Sequence, residues 1–183
     1  MARPEFKYCP ICATPMTTRE VGGRNRRVCP ESLCGFVAWN NPIPVVAGIV
    51  ERAGGVFLVR SLGWPETWYG LVAGFLESGE SPEQGVLREI EEELGVAAAE
   101  PRLIGAYPFE PMNQIIFVYH VRAEAGEIRL CEHELADYRH VPLAKLKPWS
   151  RGTGPALRDW LLERGYAPET VEFGEHILEE SYP

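Results

Sequence analysis

The stretch Ala73-Gly74-Phe75-Leu76-Glu77-Ser78-Gly79-Glu80, continuing Ser81-Pro82-Glu83-Gln84-Gly85-Val86-Leu87 and ending Arg88-Glu89-Ile90-Glu91-Glu92-Glu93-Leu94-Gly95-Val96, decides how this chain is read. It begins as a glycine-containing loop and continues as a helix with both ends written in. Ser81 suits the N-cap, Pro82 suits the first turn, and Gln84 completes a capping box. Gly95 stands where a helix stops in left-handed backbone. At about 100° per residue, Glu89, Glu92 and Glu93 fall within about 100° of arc on one face. Leu87, Ile90 and Leu94 form the adjoining apolar face. Carboxylates at this spacing repel one another, and no lysine between Ser81 and Val96 relieves them. Hard divalent cations would, because magnesium favours carboxylate and water oxygens. A solvated acidic face is the ordinary reason for such a run. It does not account for the loop before the helix or for the Gly95 stop. Gly85, one turn before Glu89, is expected to leave the acidic face open.

Outward from the helix, Val45–Val50 reads as a buried strand, with a turn at Ala53-Gly54-Gly55 and a hairpin partner at Val56–Val59. Ile115–Val121 and Glu127–Leu130 read as further strands. Pro155–Arg164 reads as a closing helix with Leu157, Trp160 and Leu161 at core spacing. Strands on both sides of a central helix, with a second helix at the end, predict an α+β chain layered as a sandwich with a mixed sheet. Residues 1–36 are rich in cysteine and arginine and poor in aliphatics, and the texture changes from Val37, so the chain is divided into a ribbon at 1–38 and a body at 39–183. Asn40-Asn41-Pro42 reads as the linker.

Cys9-Pro10-Ile11-Cys12 and Cys29-Pro30-Glu31-Ser32-Leu33-Cys34 are two tight pairs separated by sixteen residues. Two short loops, each offering two thiolates, match a structural Zn2+ site, in which the metal supplies folding energy that so small a segment lacks. Two disulfides or unrelated free thiols are the alternatives. No secretory signal precedes them, which disfavours disulfides. Cys131 has no partner by spacing and reads as a buried or incidental thiol. The segment could bind nucleic acid or a protein through Arg24, Arg26 and Arg27, or could serve as a folding staple or dimer surface.

The apolar content of 45% and charged content of 24% are those of a globular chain and do not suggest a disordered one. The longest apolar runs, Val45–Val50 and Ile115–Val118, are far too short to span a bilayer. Met1-Ala2-Arg3-Pro4-Glu5-Phe6-Lys7 holds no apolar signal core either, so a cytoplasmic location with no membrane partner is expected. Residues 1–36 hold six basic and three acidic residues, about +3, which leaves about −11 of the net −8 to the rest. An acidic body disfavours nonspecific polyanion binding and suits a site that gathers divalent cations; solubility alone would also explain it.

Gly74, five residues, Glu80, seven residues, then Arg88-Glu89-Ile90-x-Glu92-Glu93-x-Gly95-Val96 resembles the Nudix box, with every defining position filled. The resemblance implies a Nudix α/β/α sandwich and a Mg2+- or Mn2+-dependent hydrolase. Its substrate would be a nucleoside diphosphate linked to another moiety. It makes Glu89, Glu92, Glu93 and the Ala73 carbonyl metal ligands, Arg88 the residue that orients the glutamates, and Glu80 a supporting member. Glu89 is one candidate base.

A four-cysteine ribbon directly before such a domain resembles the NADH pyrophosphatase branch of the family, which also acts on NAD caps of RNA. After the box, that branch carries a serine-glutamine-proline-tryptophan-proline-phenylalanine-proline-x-serine array. At the same offset stands Ala106-Tyr107-Pro108-Phe109-Glu110-Pro111-Met112-Asn113-Gln114, which keeps one proline and puts Phe109 in place of the tryptophan. This nominates Tyr107, Phe109 and Gln114 as substrate contacts, although the two aromatics suit a core equally well. Glu134-Leu135-Ala136-Asp137-Tyr138-Arg139-His140 resembles the branch's glutamate-isoleucine-x-glutamate-alanine-arginine-tryptophan stretch and nominates Glu134 as a further metal ligand. The degraded array, and the lack before Cys9 of the extra domain typical of the NADH enzymes, widen the expected substrate to NAD(H), ADP-ribose or an FAD-like compound, cleaved with release of AMP. NAD-capped RNA is admitted but not favoured, and a homodimer is suggested. The competing reading is a non-catalytic Nudix-fold sensor of ADP-ribose or NAD, its ribbon contacting nucleic acid or a protein.

Overall fold

The computed structural model describes residues 6–173, so the outer ends of the two expected segments, 1–5 and 174–183, lie outside the described residues. The chain forms two compact units, Met1–Pro42 and Ile43–Pro183. In the first, β1 (Thr17–Val21), β2 (Arg24–Val28) and β3 (Val37–Ala38) form an antiparallel sheet in that order. Gly22 and Gly23, both at positive φ, make the β1–β2 turn. The buried residues of this unit are few, with Cys9, Met16 and Cys29 at their centre.

The second unit is a sandwich around one six-stranded mixed sheet. Its strands are β4 (Ile43–Arg52), β5 (Gly55–Ser61), β6 (Val72–Phe75), β7 (Ala98–Phe109), β8 (Gln114–Ala123) and β9 (Leu135–Pro142). They lie in the order β7-β8-β4-β5-β9, with β6 also on β4. Only the β4–β8 pairing is parallel among these. Alternation along β4 explains the layers. Val46 and Val50 face α1 (Pro82–Leu94), packing with Val86, Ile90 and Leu94. Val45, Ala47 and Ile49 face α2 (Gly154–Glu163), packing with Leu157, Trp160 and Leu161. Successive side chains of a strand point to opposite faces, so one apolar run fills both cores.

One edge of β4 is shared. Val45–Gly48 pairs with β6 and Val50–Arg52 pairs with β5. The segment joining β5 to β6 therefore leaves the sheet as a loop that carries Trp64 and Trp68. The expected strand at Glu127–Leu130 is not one. That segment runs over the end of α1, where Arg129 N–H donates to the Leu94 carbonyl at 2.8 Å and Cys131 N–H to that of Glu93 at 3.1 Å. The carbonyls of a helix's last turn need partners, and here they take the hydrogen bonds that a sheet neighbour would have received. Among the described residues, no helix is long and apolar enough to cross a membrane.

Candidate active site

The helix ends form as their residues dictate. Ser81 Oγ accepts from Gln84 N–H at 3.3 Å and Gln84 Oε1 from Ser81 N–H at 2.8 Å, while Gly95 sits at φ 67°. These caps fix where α1 starts, and with it the direction of its carboxylates over β6.

Arg88 is the hub of the acidic face. Its Nε and Nη2 donate to the two oxygens of Glu80 at 3.1 and 2.8 Å. Its Nη1 donates to Glu89 Oε1 at 2.8 Å and Glu92 Oε2 at 2.9 Å, and its Nη2 also to the Phe75 carbonyl at 3.1 Å. All five N–H groups of the guanidinium can thus be engaged, which pins loop and helix to one another. Glu80 also accepts from Glu77 N–H at 2.7 Å. The Arg88 hydrogen bonds, seconded by that amide, hold its carboxyl below the usual range. Glu80 also fills the space beside buried Gly85, where an added Cβ would lie 3.0 Å from both Glu80 Oε1 and Leu76 Cδ1. Gly85 therefore makes room for the preceding loop, rather than keeping the acidic face open as the sequence suggested.

Glu89 lies directly over Gly74 of β6. A Cβ at that position would overlap its carboxyl group, so only glycine lets the acid reach the strand backbone. Glu93 is buried to 5% exposure, and its Oε2 has no hydrogen-bond partner. Burial, then the charges of Glu89 and Glu134, push it up to about 8, against a backbone hydrogen bond from Ala73. Glu89 is raised for the same first reason, burial, with Glu92 and Glu134 adding to it. Glu134, just before β9, is thus close enough for its charge to be felt at both. Glu92 stays largely exposed. An orphaned buried carboxylate oxygen amid three further carboxylates is costly unless a positive charge meets it. These residues and the neighbouring Ala73 backbone could hold a hard divalent cation.

A cavity of about 340 Å³ opens beside this site and shares Ala73 and Gly74 with it. Trp64, Trp68, Phe75, Phe109 and Trp149 give it aromatic walls, and Gln114 lines it too. Of the three nominated substrate contacts, Phe109 and Gln114 are here. Tyr107 lines a neighbouring groove instead, and its hydroxyl donates to Asp159 Oδ2 of α2 at 2.8 Å. No motif in the sequence nominates Trp64 and Trp68. Two tryptophans within one short loop were the available signal. That loop is braced by β9: Leu62 N–H donates to the Glu134 carbonyl at 2.8 Å, and Tyr69 donates its hydroxyl to Asp137 and accepts from Arg139 Nε at 3.2 Å.

In the first unit, the sulfurs of Cys9, Cys12, Cys29 and Cys34 all lie within 4.8 Å of one another. The Cys9–Cys34 and Cys12–Cys29 separations are 3.5 Å, far beyond a disulfide bond. Four sulfurs about 2.3 Å from a tetrahedral zinc would stand about 3.8 Å apart, so the set could bind such an ion. The Thr14 hydroxyl and amide lower Cys12 to about 6, which favours a thiolate there. No other cluster among the described residues brings three or more ligand atoms so close.

A NUDIX domain family model matches residues 41–161. The NAD-capped RNA hydrolase NudC of Pseudomonas aeruginosa is 33% identical over 144 residues, 78% of this chain and 50% of that protein. That of Stutzerimonas stutzeri is 30% identical over 135 residues, 74% of this chain and 48% of that protein. The chain thus spans about half the length of the curated relatives it matches. A NUDIX hydrolase structure from Nitrosomonas europaea superposes with a TM-score of 0.72 at 23% identity, covering 91% of this chain and 99% of that one. The expectation that NAD-capped RNA is not favoured has no support in these relatives. The family match covers about two thirds of the chain, and with the 33% identical relative it shows that the chain belongs to the NUDIX domain family.

Proposed function

We propose that this chain hydrolyses the pyrophosphate bond of an ADP-linked compound, NAD(H), ADP-ribose or an FAD-like molecule, and releases AMP. The observation that carries the reading is the continuity of the aromatic cavity with the carboxylate face through Ala73 and Gly74. A planar ring held between Trp64, Trp68 and Phe109 would lie within a few residues' reach of the acidic helix, as a nucleotide with an aromatic group and a pyrophosphate requires. Gln114 offers an amide in a largely apolar wall.

Glu89, Glu92, Glu93 and Glu134, with the Ala73 carbonyl, would hold Mg2+ or Mn2+. When bound, such ions neutralise the pyrophosphate, stabilise the leaving phosphate and lower the pKa of a water. Arg88 keeps Glu89 and Glu92 aimed from one side and is itself held by Glu80. Glu89, fixed between Arg88 and Gly74, is the base candidate with the best-defined position. In the first unit, the four cysteines would hold a structural Zn2+. The first unit, 1–38 by sequence, acts as a ribbon and the body as the hydrolase.

A turnover panel of NADH, FAD, ADP-ribose, diadenosine phosphates and nucleoside triphosphates tests this, with Glu93→Gln and Glu91→Gln alongside. AMP release from at least one ADP-linked compound is expected, in preference to the triphosphates. Glu93→Gln should cost on the order of a hundredfold or more in rate. Glu91, exposed and roughly 100–160° around the helix from the others, should change little. Parental turnover in both variants at saturating magnesium would sink the metal-site reading and leave the non-catalytic one.

A further inference from the structure

We infer that the β1–β2 face of the N-terminal unit is a docking surface for single-stranded RNA. The register of the hairpin sorts its charges by face. Arg19 stands opposite Arg26, and Val21 opposite Arg24, so these three arginines share one face. Glu20, paired with Asn25, is on the other. Arg27 is also there, and its guanidinium is committed, with Nε and Nη2 donating to the Phe6 carbonyl at 3.3 and 3.2 Å. Arg19 and Arg24 are exposed and have no ion-pair partner among the described residues.

Arg26 turns the face from merely basic into a stacking platform. It donates through Nη1 to the Trp39 carbonyl at 2.6 Å and through Nε to that of Val21 at 3.2 Å. Its guanidinium lies over the Trp39 ring, 4.8 Å from the centroid. Trp39 is nevertheless 50% exposed. Cations that track a backbone beside an exposed aromatic face are the parts with which proteins hold unpaired strands, since every base has a face to stack and every nucleotide a phosphate. A duplex would leave the tryptophan without a base to stack on, and an acidic peptide would use only the charges. Residues 1–36 carry about +3 while the remainder carries about −11, so this is the segment that a polyanion would approach.

The inference rests on the reading of the body as an enzyme for ADP-linked compounds, of which an NAD-capped RNA is one, and it names the part that would take the RNA chain. Because both units belong to one chain, a strand held by the ribbon raises the local concentration of its 5′ end.

The test uses the full chain and a 3′-fluorescein single-stranded RNA of about twelve nucleotides without a cap, followed by anisotropy across a salt series. Binding should weaken with salt. Arg19→Gln/Arg24→Gln should lower affinity at least tenfold and reduce the salt slope by about 1.4, at about 0.7 per lost phosphate contact. Trp39→Leu should weaken binding without changing that slope, and Glu20→Gln, on the other face, should alter affinity less than twofold. Unchanged metal content of the variants certifies their fold. With substrates, KM for an NAD-capped RNA should rise in the double arginine variant while kcat/KM for free NAD stays parental. RNA affinity unmoved by the arginine changes overturns the inference, as does equal binding of a DNA duplex or of anionic vesicles. Arginine-dependent RNA binding without turnover of any ADP-linked compound would overturn the enzymatic reading and leave this surface standing.

Discussion

Replacing Gly74 by alanine tests the placement of Glu89 more directly than removing the acid. The added Cβ would overlap all three heavy atoms of the Glu89 carboxyl group. Ordinary van der Waals contact begins near 3.4 Å, so the carboxyl must retreat by at least about 1 Å or β6 must shift. Misplacement of a positioned group by about 1 Å costs on the order of a hundredfold in rate. A retreating Glu89 also pulls on Arg88, which reaches it at 2.8 Å and Glu92 at 2.9 Å. The expected result is a fall of about a hundredfold in AMP release at saturating magnesium. Stability should fall by about 1–3 kcal/mol, the usual cost of overpacking. Gly74 is not at positive φ, so the effect is steric and not conformational. Glu89→Ala removes the obstacle, and Gly74→Ala should then cost little further stability in the double variant. Gly126→Ala, whose Cβ would meet only Val96 at 3.7 Å, is the neutral control. Gly74→Ala with parental turnover and an unmoved unfolding midpoint would refute the close approach of Glu89 to β6, and with it the proposed assembly of loop and helix.

Two further outcomes concern other parts of the chain. Protein prepared without chelators should contain about one zinc per chain, and Cys12→Ser or Cys29→Ser should lose it and expose residues 1–42 to proteolysis while the body stays folded; zinc-free protein with those thiols joined in disulfides would contradict this. His120, buried beside Trp160 with its Nε2 2.7 Å from Glu51 Oε2, has its pKa lowered, chiefly by burial and against the Glu51 hydrogen bond. Because the unfolded chain then takes up the proton first, the contribution of His120 is present above the ordinary histidine value of about 6.5 and is lost as pH falls below it. Urea midpoints should drop between pH 7.5 and 5.5, and less so in His120→Gln; identical slopes in the two would count against it.

The sequence alone determined α1, its caps and the spacing of its glutamates, because those depend on interactions three or four residues apart that any reader can lay out on a helix. It marked the cysteine pairs Cys9/Cys12 and Cys29/Cys34 for the same reason of short spacing, whereas the approach of Cys9 to Cys34 and of Cys12 to Cys29 is tertiary. It placed β4, β5 and β8 from their apolar runs but misread Glu127–Leu130, since a run of this length says nothing about whether a strand or a helix end will satisfy its backbone. Only the tertiary structure decided that β6 pairs along half of β4 and brings Gly74 beneath Glu89. It alone decided that the loop from Leu62 to Gly70 swings Trp64 and Trp68 into a cavity with Phe109 and Trp149. It also separated Arg19, Arg24 and Arg26 from Glu20 by register, and bound Tyr107 to Asp159. Each of these joins residues far apart in the chain or across a turn, and such pairings are set by how sheets and cores close, not by any local pattern.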